Sequence, residues 1–271
     1  MAKPVAVITG ASSGIGAVFA RKLAAEYDLL LIARRQEKLE ALAAELRASS
    51  GTAVEVLSAD LAEERGLAEA AERVAAVPAL GLLVNNAGFG SRGLFWEAEL
   101  AEQEQMHRLH VMATMRLSHV ALQKMVAQNA GAIINVASVA AFVHKAGSSS
   151  YGATKSWMAT FTEGLSLDLK SAGSAVQVQA LCPGYTYSEF HDRLQVDRAK
   201  VAGAQFWLTA EFVVEESLRG LRERKVFVVP GWRYRALVGM ALKLPVSLRL
   251  AVESAGSKQQ DARDPKPDEG I

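Results

Sequence analysis

The chain contains 271 residues, of which 30 are basic and 29 acidic, so its formal net charge is +1. This length suits one domain with a sizeable core. The balanced charge gives no general electrostatic basis for binding nucleic acid, so the expected partner is a small molecule. The first residues lack the apolar stretch of a secretory signal, and no run is long enough to span a bilayer. A single cysteine, Cys182, cannot form an internal disulfide, and these features together predict a cytoplasmic protein.

Short apolar runs alternate with longer segments along the chain. The candidate strands, rich in leucine and β-branched residues, are 5–9, 29–33, 53–58, 82–85, 132–137, 176–181 and 226–229. Apolar residues at three- and four-residue spacing mark the candidate helices 15–27, 37–48, 63–77, 99–129, 151–172 and 210–224. Near-continuous apolar strands that alternate with helices are typical of parallel sheets covered on both faces. The sequence therefore predicts an α/β fold, a doubly wound (Rossmann), mostly parallel seven-stranded sheet with helices on both faces.

A glycine-rich loop follows the first candidate strand and opens the first helix. It reads Thr9-Gly10-Ala11-Ser12-Ser13-Gly14-Ile15-Gly16. At such a helix start, free backbone N–H groups and the positive end of the helix dipole favour a pyrophosphate. Gly10 is expected to permit the tight turn, Gly14 to let backbone approach the phosphate, and Gly16 to let helix and strand pack closely. The loop, including Ser12, Ser13 and Ile15, is a predicted pyrophosphate site. The alternative is an ordinary turn rich in serine and glycine.

Further motifs lie at the ends of later candidate strands. Asn85-Asn86-Ala87-Gly88 ends the fourth strand, Ser138 follows the fifth, and Pro183-Gly184 follows the sixth. Tyr151-Gly152-Ala153-Thr154-Lys155 opens the helix between the fifth and sixth strands. The carboxyl ends of parallel strands meet at one edge, so these residues are expected to line one crevice. With its Gly-x-x-x-Gly-x-Gly loop, the chain resembles the short-chain dehydrogenase/reductase family over about residues 5–230. This resemblance implies an enzyme that moves hydride between a nicotinamide cofactor and a carbonyl/alcohol pair.

The end of the second candidate strand bears on the choice of cofactor. In dinucleotide folds an acidic residue there binds the ribose 2′-OH of NAD(H), whereas arginine accommodates the 2′-phosphate of NADP(H). This chain has Ala33-Arg34-Arg35 at that point, and so predicts NADP(H) with Arg34 and Arg35 as phosphate ligands. The alternative is a solvated basic helix start, although cations are unfavourable at that end of a helix.

The resemblance also implies the remaining cofactor contacts. Asp60 would contact the adenine, and Asn86, Ala87 and Gly88 would line the adenosine side. Lys155, with Tyr151 beside it, would bind the nicotinamide ribose, and Thr186 after Pro183-Gly184 would hold the carboxamide. For Asp60 the alternative is a helix N-cap, with Glu63 completing a capping box, and the two roles are compatible.

Tyr151 and Lys155 are four residues apart, so on a helix their side chains share one face. A free tyrosine has a pKa of about 10, and a nearby ammonium is expected to lower it by stabilising the phenolate. Ser138 can hydrogen-bond the substrate oxygen while Tyr151 transfers the proton. The family resemblance implies the same catalytic roles. The alternatives are a surface contact along a helix for the Tyr/Lys pair and an ordinary serine at a strand end.

One position departs from the family pattern. The family usually has a helical asparagine that holds a water in the proton relay, and the matching position here is His110. Histidine can donate, accept and titrate, so His110 is a candidate catalytic residue. The alternative is a histidine whose hydrogen bonds are satisfied by local packing. The other histidines show no metal-ligand spacing with Cys182, so no metal is predicted.

The chain after the last candidate strand is unusually apolar. Residues 1–232 are predicted to form the dinucleotide-binding catalytic domain, 233–253 an apolar C-terminal segment, and 254–271 a polar, disordered tail. The apolar segment is either a helix docked on the core or on a second subunit, or a lipophilic wall or interfacial foot with Trp232 and Tyr234 at the polar boundary. The second interpretation predicts a lipophilic carbonyl substrate such as a 3-oxoacyl chain or a steroid.

Two other functions remain compatible with the sequence. One is a catalytically silent dinucleotide-binding regulator, although the Ser138/Tyr151/Lys155 set argues against it. The other is a peripheral membrane protein that contacts the bilayer surface through the C-terminal segment. The family resemblance further implies a homo-oligomer assembled through the helices at 99–129 and 151–172.

Overall fold

The computed structural model describes residues 3–91, 93–189 and 203–261. Its sheet has seven strands in the order β3-β2-β1-β4-β5-β6-β7. They are β1 Val5–Thr9, β2 Asp28–Ala33, β3 Val54–Ser58, β4 Leu80–Asn85, β5 Ala132–Val136, β6 Gln177–Leu181 and β7 Phe227–Val228. Neighbouring strands pair in parallel throughout these residues. The predicted doubly wound parallel sheet is confirmed.

Helices cover both faces of the sheet. They are α1 Gly14–Leu23, α2 Gln36–Ser50, α3 Glu64–Ala76, α4 Leu100–His107, α5 Thr114–Gln128, α6 Ser149–Ser171, α7 Ala210–Arg222, α8 Trp232–Lys243 and α9 Val246–Asp261. Side chains alternate along each strand. Ala6 and Ile8 of β1 therefore pack with α1, α2 and α7, whereas Val7 packs with α3, α5 and α6 on the other face.

The strand order places a crevice at the carboxyl ends of the central strands. From β1 the chain proceeds outward to β2 and β3, then returns to β4 on the other side of β1 and continues to β7. The loops after β1 and β4 consequently leave the sheet in opposite directions. Open α/β sheets bind ligands at this reversal.

The predicted helix at 99–129 is interrupted. A π-helical turn, Arg108–Ala113, joins α4 to α5. A π turn inserts an extra residue and changes which side chains face inward. His110, in the middle of this turn, is completely buried. The helical period of the sequence carries no sign of the inserted residue, so the interruption could not be predicted.

The apolar C-terminal segment forms two helices, α8 and α9, separated at Leu244-Pro245. Tyr234 was expected at a polar boundary, but only 4% of its surface is exposed, so that part of the prediction is wrong. Trp232, in contrast, is exposed. Helix α9 continues past Ser254 to Asp261, against the prediction of disorder from residue 254, and residues 262–271 lie outside the described part of the chain. Within the described residues, no helix combines the length and apolar character needed to cross a bilayer.

Candidate active site

A cleft of about 1450 Å³ opens at the carboxyl ends of the strands. Every residue that the sequence predicts as a cofactor ligand or catalytic group lines it, with two exceptions, Gly16 and His110. The cleft exceeds the ordinary range for small-ligand pockets, about 300–1000 Å³. It is therefore large enough for a dinucleotide and a second molecule beside it.

The glycine-rich loop presents an open helix N-terminus to the cleft. Ser13 is the N-cap of α1, but its side chain makes no capping hydrogen bond to the first turn. Gly14 has a φ of +54°, and a Cβ added there would approach Ser188 Cβ to 3.0 Å. A Cβ on Gly16 would lie 2.4 Å from Gly10 O, which agrees with its expected packing role rather than ligand contact. The uncapped N–H groups fit a pyrophosphate.

Arg35 lies against this loop. Its Nη2 donates to Ser12 Oγ at 3.0 Å and to Ser13 Oγ at 2.9 Å, while Nη1 donates to Glu189 Oε2 at 2.7 Å. Arg34 points towards Asp60, with Nη1 3.5 Å from Oδ2. The arginine nearer to the glycine-rich loop is thus Arg35, whose guanidinium is a planar donor group on the cleft wall.

Asp60 does not cap α3 as the capping-box alternative expected. The N-cap of α3 is Glu63, whose side chain makes no capping bond. Asp60 Oδ1 instead accepts from Ala62 N at 3.0 Å, within the turn before the helix. Its carboxylate remains on the cleft wall, beside Arg34.

Asn86 supports the glycine-rich loop from the neighbouring strand. Its Nδ2 donates to Thr9 O at 2.9 Å and Gly10 O at 3.2 Å, and its backbone N donates to Thr9 Oγ1 at 2.9 Å. The side chain that was expected to face the adenosine therefore braces the end of β1. Thr9, which the sequence analysis did not single out, holds both loops together.

Ser138 and Tyr151 meet on the cleft wall. Ser138 lies two residues after the end of β5, and its hydroxyl is hydrogen-bonded with that of Tyr151. Tyr151 and Lys155 lie in the first two turns of α6, with Lys155 Nζ 5.8 Å from the Tyr151 ring centroid. Nζ donates to Val136 O at 2.8 Å, which ties the ammonium to the end of β5. The three predicted groups converge as the i, i+4 spacing indicated.

Burial dominates the protonation of this group. It raises the pKa of Tyr151 to about 12, against an opposing effect of the Ser138 hydrogen bond, and lowers the pKa of Lys155 to about 7. Lys155 was expected to lower the pKa of Tyr151, but the net shift is upward, because loss of hydration penalises the phenolate more than its neighbours stabilise it. Tyr151 consequently keeps its proton at neutral pH.

His110 is not in contact with the cleft. Phe89 N donates to His110 Nε2 at 3.2 Å, so Nε2 is unprotonated, and Nδ1 lies 2.9 Å from Thr154 Oγ1. The Thr154 hydroxyl itself donates to Tyr151 O at 2.8 Å, which leaves it free to accept from Nδ1–H. Both ring nitrogens are therefore committed, and the structure favours the packing alternative over a relay residue. Burial also holds the pKa of His110 well below its usual range.

The segment after β6 forms the opposite wall. Tyr234 of α8 accepts from Tyr185 N at 3.0 Å and donates to Phe206 O at 2.7 Å, and its ring packs on Gly184. Thr186 Oγ1 donates to Gly184 O at 3.0 Å, so its hydroxyl is used within the loop. The apolar C-terminal segment thus holds the Pro183-Gly184 motif in place, a role that the sequence analysis missed.

Apolar side chains from distant parts of the chain also line the cleft, among polar neighbours such as Glu97, His144 and Glu253. Leu94, Val143, Leu237 and Val252 contribute to it from four separate segments. His144 N donates to Glu253 Oε1 at 2.9 Å, which fastens α9 to the loop after β5. Leu237 and Val252 belong to the segment 233–253, for which a lipophilic wall was one of the two interpretations, whereas no sequence motif indicated Leu94 or Val143.

In the described part of the chain, no group of three or more His, Cys, Asp and Glu side chains is arranged to hold a metal ion. Cys182 is buried, and burial raises the pKa of its thiol to about 12. A thiol kept protonated in this way is a poor metal ligand and nucleophile.

Comparison with known proteins agrees with this geometry. The family model described as short chain dehydrogenase matches residues 4–199. A short-chain dehydrogenase from Sphingobium yanoikuyae in complex with NADPH is 32% identical, with a TM-score of 0.78 and coverage of 99% of this chain and 98% of that one. The bulky-bulky ketone specific alcohol dehydrogenase from Comamonas testosteroni is 26% identical, with a TM-score of 0.75 and coverage of 100% and 98%.

A short-chain dehydrogenase/reductase from Burkholderia phymatum in complex with NAD is 29% identical, with a TM-score of 0.77 and coverage of 88% of this chain and 92% of that one. Both forms of the nicotinamide cofactor thus occur among similar structures. The family match spans well over half of the chain, and the cleft holds the family's motifs in one place. The chain belongs to the short-chain dehydrogenase/reductase family, oxidoreductases that use a nicotinamide dinucleotide to interconvert alcohols and carbonyl compounds.

Proposed function

We propose that this enzyme reduces a lipophilic ketone with NADPH, with Ser138, Tyr151 and Lys155 as its catalytic residues. The observation that carries the proposal is the hydrogen-bonded Ser138–Tyr151 pair on the wall of a cleft that the glycine-rich loop and several apolar side chains also line. A regulator that binds a dinucleotide without catalysis would not require a hydrogen-bonded serine and tyrosine beside the cofactor-binding loop.

The chain's residues supply the proton chemistry. When bound, the dinucleotide supplies the hydride that the carbonyl carbon receives. Tyr151 Oη donates its proton to the carbonyl oxygen, and Ser138 Oγ hydrogen-bonds the same oxygen as negative charge develops. Lys155, held at Val136 O, keeps a basic group beside the tyrosine and the expected position of the nicotinamide ribose. Tyr151 holds its proton at neutral pH, as a general acid for carbonyl reduction must.

The choice of NADPH rests on Arg35. Its guanidinium lies on Ser12 and Ser13, at the edge of the predicted pyrophosphate site, and no acidic residue ends β2. Arg34 and Asp60 would flank the adenine, and Thr186 the carboxamide. Charge-assisted contacts to a 2′-phosphate have no counterpart with NADH, and we expect at least about tenfold tighter binding of NADPH. Titration of both cofactors followed by nucleotide fluorescence tests this, and equal affinities would contradict it.

The proposal of a lipophilic substrate rests on the apolar side chains that line the cleft, Leu94, Val143, Leu237 and Val252. Each methylene buried there should contribute up to about 0.8 kcal/mol, or about fourfold in kcat/KM. We therefore expect kcat/KM to rise along a homologous series of ketones or 3-oxoacyl thioesters. The Comamonas testosteroni neighbour, named for bulky-bulky ketones, supports this class of substrate.

Two matched variants test whether the dependence of kcat/KM on chain length arises in the cleft. Leu237 lines the cleft, whereas Leu242, on the same helix, is 62% exposed and does not. Leu237→Asn should flatten the dependence on chain length, and Leu242→Asn should leave it unchanged. A flat series in the unmodified enzyme, or a preference for small polar carbonyls, would contradict the proposed substrate class without touching the reductase chemistry.

We also propose a homo-oligomer that assembles through α5 and α6. Met115 and Val126 of α5 and Leu167 of α6 are exposed apolar side chains on these helices. Sedimentation velocity on the full chain, with Met115→Lys as the variant, tests this contact. The cytoplasmic location stays a prediction from the sequence, and peripheral membrane contact gains no support from the buried Tyr234.

A further inference from the structure

Glu189 places a negative charge beside the arginine proposed to bind the 2′-phosphate. Arg35 Nη1 donates to Glu189 Oε2 at 2.7 Å, and Lys38 Nζ donates to Glu189 Oε1 at 2.6 Å. Glu189 itself lines the cleft, and Ser188 beside it approaches the position of a Cβ on Gly14. The carboxylate therefore lies between the glycine-rich loop and the basic end of β2.

We propose that Glu189 is an internal competitor for the 2′-phosphate of NADP(H), and thereby limits how strongly the enzyme discriminates between the two cofactors. The inference rests on the proposed role of Arg35 in binding that phosphate. It adds two specificity-determining residues, Glu189 and Lys38, that the sequence motifs did not indicate.

The competition follows from the donors that the two anions share. One edge of Arg35 is used by Ser12 and Ser13, so Nη1 and the ammonium of Lys38 are the donors that an incoming phosphate would also use. A phosphate and a carboxylate on the same two cations would repel each other, so the 2′-phosphate must displace Glu189 or bind beside its charge. NADH, which carries a 2′-hydroxyl, binds without this conflict.

The competing charge is present at every working pH. Lys38, and then Arg35, hold the pKa of Glu189 at about 2. The Glu189 carboxylate is 39% exposed in these pairs, so it can exchange partners without unfolding the site.

Removal of the charge tests the proposal directly. In Glu189→Gln we expect NADPH to bind between about threefold and thirtyfold more tightly, which is the range that two partly exposed ion pairs allow. The affinity for NADH should change by less than about twofold. The affinities of adenosine 2′,5′-bisphosphate and adenosine 5′-monophosphate can be measured by calorimetry without turnover. These two ligands differ only in the 2′-phosphate, so the ratio of their affinities reports the effect of Glu189 on that group alone. Glu189→Asp, which is too short to reach both cations, should give a smaller gain.

Glu45→Gln is the matched control. Glu45 accepts two hydrogen bonds from Arg21 on the protein surface and does not line the cleft, so its loss should change neither affinity. Unchanged bisphosphate affinity in Glu189→Gln, weaker binding, or equal gains for both nucleotides would overturn the proposal. A selective gain for the bisphosphate would support it even if the unmodified enzyme bound NADH as tightly as NADPH, a result that would refute only the proposed cofactor preference.

Discussion

His110 offers a test of how the catalytic helix is held against the cofactor-binding loop. Its ring joins Phe89 N, next to Gly88, to Thr154, next to Lys155. In His110→Ala the Phe89 N–H loses its acceptor in a partly buried site, at a cost of about 1–3 kcal/mol. The cavity left by a large, fully buried side chain adds about 2–3 kcal/mol. The expected total of about 3–6 kcal/mol is a large part of the 5–15 kcal/mol that usually stabilises a domain.

Two milder variants separate the contacts. The amide of His110→Asn can reach the position of Nδ1 and keep the bond to Thr154, whereas the longer His110→Gln can reach that of Nε2 and keep the acceptor for Phe89 N. We expect both variants to be more stable than His110→Ala. His110→Asn should mainly raise the KM for the cofactor through the Phe89 loop, and His110→Gln should mainly lower kcat through α6.

Urea unfolding with steady-state kinetics of the three variants measures these effects. Wild-type stability in His110→Ala would refute the calculated cost. Because the pKa of His110 lies well below its usual range, the residue should add no inflection to the pH profile. A step in kcat/KM between about pH 5 and 7 that disappears in His110→Asn would show instead that the histidine titrates in the proton relay.

Two further predictions concern the catalytic pair. Tyr151→Phe should retain cofactor affinity but lose at least about 10²-fold in kcat, the usual contribution of a general acid, and near-normal turnover would show that another group donates the proton. For Lys155 the folded pKa of about 7 lies below the usual 10.5, so from pH 7 upward the unfolded chain binds a proton that the folded chain does not, and stability rises with pH. The rise is at most about 1.4 kcal/mol per pH unit. Lys155→Met should remove this slope between pH 7 and pH 8, below the range where the raised pKa values of Cys182 and Tyr151 oppose it. An equal dependence of unfolding free energy on pH in the two proteins, measured by urea unfolding, would contradict the lowered pKa of Lys155.

Local patterns in the sequence were enough to predict the fold and the central part of the site. The periodicity of strands and helices follows from which side chains must be buried, so the order of the elements could be predicted. The predicted ends of the elements differ from the observed ones by a few residues. Tyr151 and Lys155 could be paired because helix geometry alone brings residues four apart to one face. The glycine-rich loop could be assigned because its chemistry lies in consecutive residues.

Contacts between distant segments were decided only by the tertiary structure. Glu189 forms an ion pair with Arg35, 154 positions away, and Tyr234 forms a hydrogen bond with Tyr185, 49 positions away. No local sequence pattern predicts either contact. The burial of Tyr151, Lys155 and His110 depends on all the elements packed around them, so the direction of their pKa shifts could not be derived from spacing. Sequence determined which groups were available to this protein, whereas packing determined which of them reach the cleft and which remain charged there.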